Sequence, residues 1–292
     1  YQRAELLTYA RAQGLTWIED PSNGDIDFDR NLLRARILPV LKSRWPACAA
    51  SLSRSAAHCA EAQVLVEELA AREMAWVRGS RPGTLSLSAL AVRAPALQAA
   101  LLRHWLASRG VPPPSSHHLR CIQRELMGAR PDRAPLVAWS GCETRRYRDD
   151  LFAMAPLPPA PREGVLGWRE GELVLPTGLG GLRLLDQEGA GLDPAGYWSS
   201  GLQVRFGVEG LHCRPLGQPH RRKLKQLFQE AAIPPWLRPY VPCLFNGPHL
   251  VAVGDLWRCA QGTEAEGLRI HWKGGIRDHP GFQVAGGHLP GH

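Results

Sequence analysis

Two arginines follow an acidic segment in the stretch WIEDPSNGDIDFDRNLLR, residues 17–34. A guanidinium group that faces a protein interior or a cleft needs a carboxylate partner, or a phosphate or carboxylate ligand. The stretch is therefore a candidate anion-binding site, and an internal ion pair between an arginine and Asp20 is the alternative. Its polar residues of interest are Asp20, Asn23, Arg30, Asn31 and Arg34.

The predicted helix that carries the two arginines decides which way they face. It runs from about residue 29 to 38 and is disturbed by Pro39. At 100° per residue, Arg30 and Arg34 lie at the edge of an apolar stripe. We therefore expect both side chains to point toward the protein interior or a cleft. The stripe consists of Leu33, Ile37 and Leu41.

Metal and dinucleotide sites are not indicated. The run Asp25-x-Asp27-x-Asp29 resembles the start of a calcium loop, but its sixth position is Arg30, where such a loop needs glycine. The GLGG at 178–181 is not clearly followed by a helix, so it predicts a turn rather than a dinucleotide fingerprint. No Walker A sequence is present. We predict no metal site.

A second basic group lies in HRRKLKQLFQEAAIPPWLRPYVPCLF, residues 220–245. Apolar residues spaced as Leu224, Leu227, Phe228 and Ala231 predict a helix with one apolar face, ended by two prolines. Cations at a helix start are unfavourable without an anion, whereas the free backbone N–H groups there bind phosphate. The sequence therefore predicts a phosphate site formed by Arg221, Arg222, Lys223 and Lys225.

Trp236 and Arg238 follow this helix closely. The indole of Trp236 can stack on a nucleic-acid base, or it can hold the helix against its sheet. We favour the second interpretation. Both residues nevertheless remain candidate nucleic-acid contacts because a tryptophan beside an arginine suits base stacking.

The charge distribution favours a polyanionic partner. The 292 residues carry a net charge of +8, with six basic residues and no acid between Arg30 and Arg54, and nine basic against four acidic residues between Leu211 and Lys273. Two basic zones make nucleic acid the default partner. A solvated basic surface is the alternative.

Cysteine usage and hydropathy place the chain in the cytosol. The seven cysteines are odd in number and widely spaced without C-x-x-C, so they predict reduced, mostly buried thiols rather than disulfides or a zinc site. The sequence has no run of roughly 18 apolar residues and no signal-peptide pattern at its start. We therefore expect a cytoplasmic protein without a membrane segment.

The remaining patterns predict an α+β multidomain protein. Helices are expected at 3–13 (ended by Gly14), 47–78, 89–109 and 116–128 (with Ser115 or Ser116 as its N-cap), a small hairpin at 136–154, and strands within 172–185, 202–208 and 248–260. Four prolines in residues 156–164 predict a semi-rigid linker. We predict that residues 1–46 are the last part of an N-terminal domain and that residues 47–155 form a mainly helical middle domain. After the linker at 156–164 we predict a mixed α/β domain at 165–273 and a disordered tail at 274–292.

Both motifs together resemble one enzyme family. WIEDPSN, an acidic stretch and DRNLLRARILPVL look like the end of the catalytic domain of bacterial tRNA(Ile)-lysidine synthases. RRKLKQLFQEAAIPPWLRPYVPCLF is similar to their C-terminal domain, and the helical stretch that begins NLLRARILPVLKSRWPACAASLSRSAAHCAE fits their middle domain. The resemblance covers roughly residues 1 to 273.

The resemblance implies a function and its partners. In this family, ATP adenylates C2 of the wobble cytidine in isoleucine tRNA with a CAU anticodon, and free lysine displaces AMP to give lysidine. ATP and Mg are the implied cofactors; tRNA, lysine and ATP are the implied partners. The resemblance places near the active site, as catalytic candidates, Asp20, Asn23, Arg30, Asn31 and Arg34. The tRNA-binding candidates are Arg221, Arg222, Lys223, Lys225, Trp236 and Arg238.

One departure from the family pattern limits this expectation. The family binds ATP through a Ser-Gly-Gly-x-Asp-Ser loop, which does not occur in this sequence. We therefore expect the first residues to be the remnant of an α/β catalytic domain, and the chain to supply tRNA recognition and one wall of the active site without forming lysidine alone. The alternative is a non-catalytic tRNA- or RNA-binding protein that reuses these domains. An unrelated DNA-binding protein is disfavoured because no helix-turn-helix or zinc signature is recognisable.

Overall fold

The computed structural model describes residues 3–18, 20–128, 135–161, 164–176, 178–187, 191–192, 201–260, 263–264 and 267–282. The chain divides into two compact units, residues 1–66 and 67–292. The described residues contain both helices and antiparallel sheets, which confirms a mixed helix and sheet composition. The boundaries predicted from the sequence between the N-terminal segment, the middle domain, the linker and the C-terminal domain stay predictions.

The first unit is helical. Gly14, with φ of +63°, follows the first helix as predicted. The helix expected to stop near Pro39 instead continues to Arg44, because Pro39 lies in the first turn of its last segment, where no backbone N–H is needed. The helices are Arg3–Ala12, Asp29–Leu32, Leu38–Arg44 and Cys48–Glu73, the last of which enters the second unit, with a 3-10 helix at Pro21–Gly24 and a π-helix at Leu33–Ile37.

Short helices lead the second unit into a four-stranded sheet. The single helix predicted at 89–109 is in fact two, because Pro95 begins the second. Ser115 caps a further helix in a reciprocal capping box with His118, as its sequence predicts. The segments are the 3-10 helix Met74–Val77, the helices Leu87–Ala91, Pro95–Ser108 and Ser116–Cys121, and the π-helix Ile122–Leu126.

The predicted hairpin belongs to a larger antiparallel sheet of order β1-β4-β3-β2. Its inner face and the helices around it form the middle core, a cluster of buried apolar residues between positions 70 and 153 that includes Leu101, Ile122 and Leu151. The strands are β1 (Leu85–Ser86), β2 (Leu136–Trp139), β3 (Cys142–Tyr147) and β4 (Asp150–Met154).

The rest of the unit is mainly β among its described residues, where the sequence predicted a mixture of α and β. The strands are β5 (Leu166–Trp168), β6 (Glu172–Val174), β7 (Gly181–Gln187), β8 (Gly191–Leu192), β9 (Leu202–Arg205), β10 (His212–Cys213), β11 (Arg222–Lys223), β12 (Cys243–Asn246), β13 (His249–Val253), β14 (Trp257–Arg258), β15 (Thr263–Glu264) and β16 (Gly267–Lys273). They form three sheets with the orders β14-β13-β12-β9-β5, β15-β8-β16-β7-β6 and β10-β11, all with antiparallel neighbours.

One helix, Leu224–Glu230, packs on these strands, followed by a 3-10 helix at Pro235–Tyr240. Its predicted apolar face is confirmed, because all four residues that define it are buried in the C-terminal core, the apolar cluster between positions 168 and 282. The helix ends in a Schellman motif, with Ala232 at φ of +53° and the Ile233 N–H donating to the Phe228 carbonyl at 2.8 Å. This turn fixes the direction of the Ala232 carbonyl.

Two expectations from composition are wrong. The tail was predicted to be disordered from residue 274, but 3-10 turns at Gly275–Asp278 and Pro280–Phe282 bury Ile276 and Phe282 in the C-terminal core. The remaining tail residues, 283–292, lie outside the described residues, as do 162 and 163 of the linker.

The linker is anchored to the C-terminal core, because the Pro158 carbonyl accepts a hydrogen bond from the Tyr240 hydroxyl at 2.5 Å.

Cysteine pairing is the other correction. Cys213 and Cys259 form a disulfide although they are 46 residues apart in the sequence. Their Cα atoms lie 5.6 Å apart, a separation that a disulfide spans. Spacing could not predict this pair because the sheet, rather than the local sequence, brings the two residues together. Of the five free cysteines only Cys142 and Cys243 are buried, so the prediction of mostly buried thiols is wrong as well. Burial raises the pKa of these two thiols to about 11 and about 12.

A buried arginine joins the middle core to the C-terminal core. Arg81 is 6% exposed, and its Nη1 donates to the Gly281 carbonyl at 2.8 Å while Nη2 donates to the Ala232 carbonyl. Its Nε lies 3.9 Å from Asp150, a carboxylate that also accepts from the Ser80 amide at 2.7 Å. Burial lowers the pKa of Arg81, and the nearby Asp150 opposes that effect.

His279 lies at the same junction. Its Nδ1 accepts a hydrogen bond from the Gly281 N–H at 2.9 Å, and its ring stacks against Phe152 with centroids 6.1 Å apart. Burial, together with the positive charges of Arg109 and Arg81, lowers the pKa of His279 to about 4. The imidazole is therefore neutral at pH 7.

The depressed pKa predicts an acid-sensitive junction. In the unfolded chain the histidine titrates near 6.5, so the unfolded state binds the proton first as the pH falls. Stability is therefore complete above about pH 6.5 and decreases by roughly 3 kcal/mol as the pH falls to about 4. His279→Gln, which can still accept from Gly281, should remove this decrease when unfolding free energies are measured by denaturant titration between pH 4 and 7. If the unfolding free energies of the unaltered chain and of His279→Gln changed in parallel with pH, this prediction would be contradicted.

Candidate functional site

The first predicted site is a loop of the first unit held by its own side chains. Asp20 caps the 3-10 helix Pro21–Gly24, and its Oδ1 accepts from the Ser22 amide at 2.9 Å. The hydrogen bonds from the Ser22 backbone and side chain lower the pKa of this exposed carboxyl. Asp20 is therefore ionised at pH 7 and is occupied in shaping the loop.

Asn31 ties the helix to this loop. It is 3% exposed, and its Nδ2 donates to the carbonyls of Ser22 and Asp25, both at 2.8 Å. Both amide hydrogens are thus used within the chain, while Oδ1 is buried and has no hydrogen-bond partner among the described residues. The carboxamide therefore fixes the loop through both of its amide hydrogens.

Arg30 and Arg34 are exposed, so they do not face an interior, and the other predicted orientation, toward a cleft, stays a prediction. The wheel placed them correctly beside Leu33 and Ile37, but those residues are themselves 51% and 44% exposed. A helical wheel shows which residues share a face, and it cannot show whether another element covers that face. Within the described part of the chain neither arginine has a carboxylate at ion-pair distance, so the internal pair with Asp20 does not form there.

Asn23 lies at the edge of a cavity of about 470 Å³ in the first unit. The walls are mostly apolar, and the carboxamide of Asn23 is the most polar side chain among them. The other lining residues are Leu6, Leu7, Ala10, Leu15, Thr16, Trp17 and Ile18. Of the five candidates, two shape the loop, and Asn23, Arg30 and Arg34 remain exposed for a ligand.

The second predicted site differs from the helix-start arrangement. Arg222 and Lys223 form β11, which pairs with β10, and Lys223 is the N-cap without a side-chain hydrogen bond. The first helical N–H, at Leu224, donates to the Leu211 carbonyl at 2.9 Å. Only Lys225 among the predicted cations lies in the helix, so the prediction that all four lie at the helix start is wrong, whereas phosphate binding by these residues stays a prediction. Strand pairing outcompetes helix extension at these residues.

The basic side chains around this helix are not equivalent. Arg222 donates through Nη1 to Glu230 Oε2 at 2.7 Å, and this hydrogen-bonded ion pair raises its pKa. Its charge is therefore already matched. Arg221, Lys223 and Lys225 are exposed, with no carboxylate at ion-pair distance in the described part of the chain. These three form the exposed basic group of the C-terminal part.

Trp236 and Arg238 have a structural role, which agrees with the favoured interpretation of Trp236. The indole packs edge-on against Phe152 and Tyr147 at centroid distances of 5.6 and 6.1 Å, and the Arg145 guanidinium lies 5.5 Å above it. Arg238 Nε donates to the Ile233 carbonyl at 3.0 Å. Burial lowers the pKa of Arg238. Their prediction as nucleic-acid contacts has no support from this packing, because both are committed to the junction between the two cores.

One basic cavity was missed by the sequence interpretation. A space of about 290 Å³ lies beside the disulfide and is lined by His212, Arg214, His220 and Arg221. The loop 214–221 supplies most of these side chains, and residues 259–260 supply the facing wall. No periodic pattern marks such a site, and the only available signal was the cluster of cations between Arg214 and Lys225.

No metal centre is formed by the residues that the structure describes, since no three His, Cys, Asp or Glu side chains among them converge. The basic and carboxamide side chains described above can bind anions and donate hydrogen bonds. Among the described helices none has the length and hydropathy needed to cross a bilayer.

Three family models match successive segments of the chain. Residues 1–41 match the PP-loop domain, residues 85–152 match the TilS substrate binding domain, and residues 202–272 match the TilS substrate C-terminal domain. The middle match covers the four-stranded sheet and the helices around it. The last match covers β9 to β15, all but the final residue of β16, and the exposed basic group.

Relatives with similar sequences carry one name. A tRNA(Ile)-lysidine synthase of Methylococcus capsulatus is 38% identical over 277 residues, which are 93% of this chain and 63% of that protein. Another from Yersinia pseudotuberculosis is 36% identical over 91% of this chain and 60% of its own length. The chain thus spans about 60% of the length of these curated relatives. A solved structure, "Crystal structure of TILS C-terminal domain", aligns with 37% of this chain and 98% of its own at 22% identity and a TM-score of 0.29.

The loop geometry predicts different effects for two neighbouring asparagines. Asn31→Ala removes two hydrogen bonds from a buried side chain, which should cost roughly 1–3 kcal/mol locally and speed hydrogen exchange at the Asn23 and Asp27 amides about 5- to 150-fold. Asn23→Ala, at an exposed position, is the matched control and should change exchange by less than about threefold. Equal effects of the two substitutions would show that Asn31 does not hold the loop.

Proposed function

This chain carries the substrate-binding and C-terminal domains of the TilS family, and from this premise we propose that it is the RNA-recognition portion of a tRNA(Ile)-lysidine synthase. The observation that supports this most strongly is the match of this chain to two TilS domains in order along the sequence. The relatives of that name, which align over more than 90% of the chain, support it further. The proposed substrate is isoleucine tRNA with a CAU anticodon. The cytoplasmic location predicted from the sequence is part of the same proposal.

The proposed reaction joins lysine to C2 of the wobble cytidine at the expense of ATP. In this reaction the C2 oxygen leaves with AMP, and the lysine amine forms the new C–N bond. The match to the PP-loop domain over residues 1–41 supports the use of ATP. Mg is part of the proposal only through the family resemblance.

The residues present do not fit a complete ATP or Mg site. The sequence contains no Ser-Gly-Gly-x-Asp-Ser loop, and the described residues contain no cluster of metal ligands. Within residues 1–41 we therefore propose roles only for side chains that the structure describes. Asp20 and Asn31 position the loop, and Asn23, Arg30 and Arg34 present hydrogen-bond donors and positive charge to the lysine carboxylate or a phosphate.

Recognition of tRNA is proposed for the second unit, where an exposed basic group stands on a well-packed scaffold. Arg221, Lys223 and Lys225 flank or begin the helix Leu224–Glu230, whose apolar face is buried in the C-terminal core. Their charges are positioned by rigid elements, which lowers the entropy lost on binding. Neutralising RNA phosphates releases counterions, so this binding weakens as salt increases.

The proposal predicts both specificity and salt dependence. The full chain should bind isoleucine tRNA with a CAU anticodon more tightly than a tRNA of the same length with another anticodon and acceptor stem. The variant R221A/K223A/K225A should reduce the slope of log K against log salt by about 2 to 3, because each lost phosphate contact removes roughly 0.7 to 0.9. Fluorescence anisotropy at 50–300 mM KCl measures both quantities.

A charge-conserving variant separates electrostatics from loss of structure. R221K/K223R/K225R keeps all three positive charges and should keep the salt slope of the unaltered chain. If the alanine variant also kept that slope, the tRNA surface would lie elsewhere on the molecule. If the unaltered chain bound both tRNAs equally, it would be a general RNA-binding protein rather than the specific recognition portion proposed here.

A further inference from the structure

A basic cavity lies beneath the loop that joins β10 to β11. This loop, residues 214–221, is held against the segment after β14 by several backbone contacts. The Leu216 N–H donates to the Arg258 carbonyl at 2.9 Å, and the Ala260 N–H donates to the Arg214 carbonyl at 2.7 Å. The disulfide between Cys213 and Cys259 joins the same two segments. The backbone around the cavity is therefore held by contacts within the chain.

The side chains on these walls carry one sign of charge. Arg214 and Arg221 are permanently cationic, and His212 and His220 can add charge or donate hydrogen bonds. All four are exposed, and no acidic residue lines the cavity. In the described part of the chain neither arginine lies within ion-pair distance of a carboxylate. Cations gathered around one space favour an anion there.

The size of the cavity limits that anion. A volume of about 290 Å³ holds on the order of ten waters at ~30 Å³ each. A phosphate group with part of its sugar fits this volume. The planar guanidinium groups of two arginines suit bidentate contacts with phosphate oxygens.

We propose that this cavity is a phosphate-binding subsite that receives one backbone phosphate of the bound RNA, with Arg214 and Arg221 as its charged contacts. The inference rests on the proposed function, which supplies the RNA. Arg221 belongs both to the cavity and to the exposed basic group, so the subsite continues the RNA surface across the loop. Arg214 is the residue that distinguishes the cavity from the rest of that surface.

Arg214→Ala in the full chain tests the subsite. Loss of one phosphate contact should weaken binding of isoleucine tRNA about 5- to 8-fold at 100 mM KCl and reduce the salt slope by about 0.7 to 0.9. Arg214→Lys keeps the charge and should keep most of the slope. Gln218→Ala, at an exposed uncharged position of the same loop outside the cavity lining, should change neither quantity. Thermal unfolding of each variant should match that of the unaltered chain.

Titration with inorganic phosphate tests whether the cavity binds a phosphate of RNA or free phosphate. We expect up to 5 mM phosphate, at constant ionic strength, to leave tRNA affinity unchanged and to give no saturable shift of the His212 and His220 ring signals in NMR spectra. Saturable, Arg214-dependent binding of free phosphate together with unchanged tRNA affinity in Arg214→Ala would overturn the RNA assignment. An unchanged salt slope in that variant, with tRNA binding intact, would overturn the subsite alone. Failure of the unaltered chain to bind tRNA would overturn the proposed function as well.

Discussion

The second unit depends on the burial of one guanidinium group. Arg81 lies between the middle core and the C-terminal core, where an unmatched charge would cost several kcal/mol. Its hydrogens are directed at the Gly281 and Ala232 carbonyls and its Nε toward Asp150, while Tyr147 and Phe152 lie 5.7 and 5.8 Å from it. Because these groups come from distant segments, the charge is stabilised only when all of them are assembled together.

This constraint determines which basic and aromatic residues are available for RNA. Trp236 and Arg238 fill the junction beside Tyr147, and Arg148 donates to the Gln229 carbonyl at 2.8 Å. These contacts fix the helix Leu224–Glu230 relative to the four-stranded sheet. The cations outside the junction remain exposed on a rigid support. A fixed arrangement of this kind suits recognition of a folded RNA, whose phosphates are themselves held at set positions.

Local patterns in the sequence predicted local structure well. The spacing of Leu224, Leu227 and Phe228 identified a helix face, and Gly14 and Ser115 identified helix ends, because the physical causes lie within a few residues. The predictions that were wrong concern groups brought together by the fold. Arg222 was expected at the start of the helix, yet it lies in β11 and forms an ion pair with Glu230. The Cys213–Cys259 pair and the role of Arg81 depend on contacts 46 or more residues apart, which no local pattern reveals.

Hydrogen exchange on Arg81→Met in the full chain tests most directly whether one buried charge unites the two cores. Methionine keeps much of the apolar bulk and removes every donor. We predict that exchange at the Thr84, Ile233 and Phe282 amides becomes about 100-fold faster or more, as expected for a loss of about 3–5 kcal/mol. Arg103→Met, at an exposed position on the helix Pro95–Ser108, should leave these rates unchanged. Unchanged protection at all three amides in Arg81→Met would show that the cores are held together by other contacts.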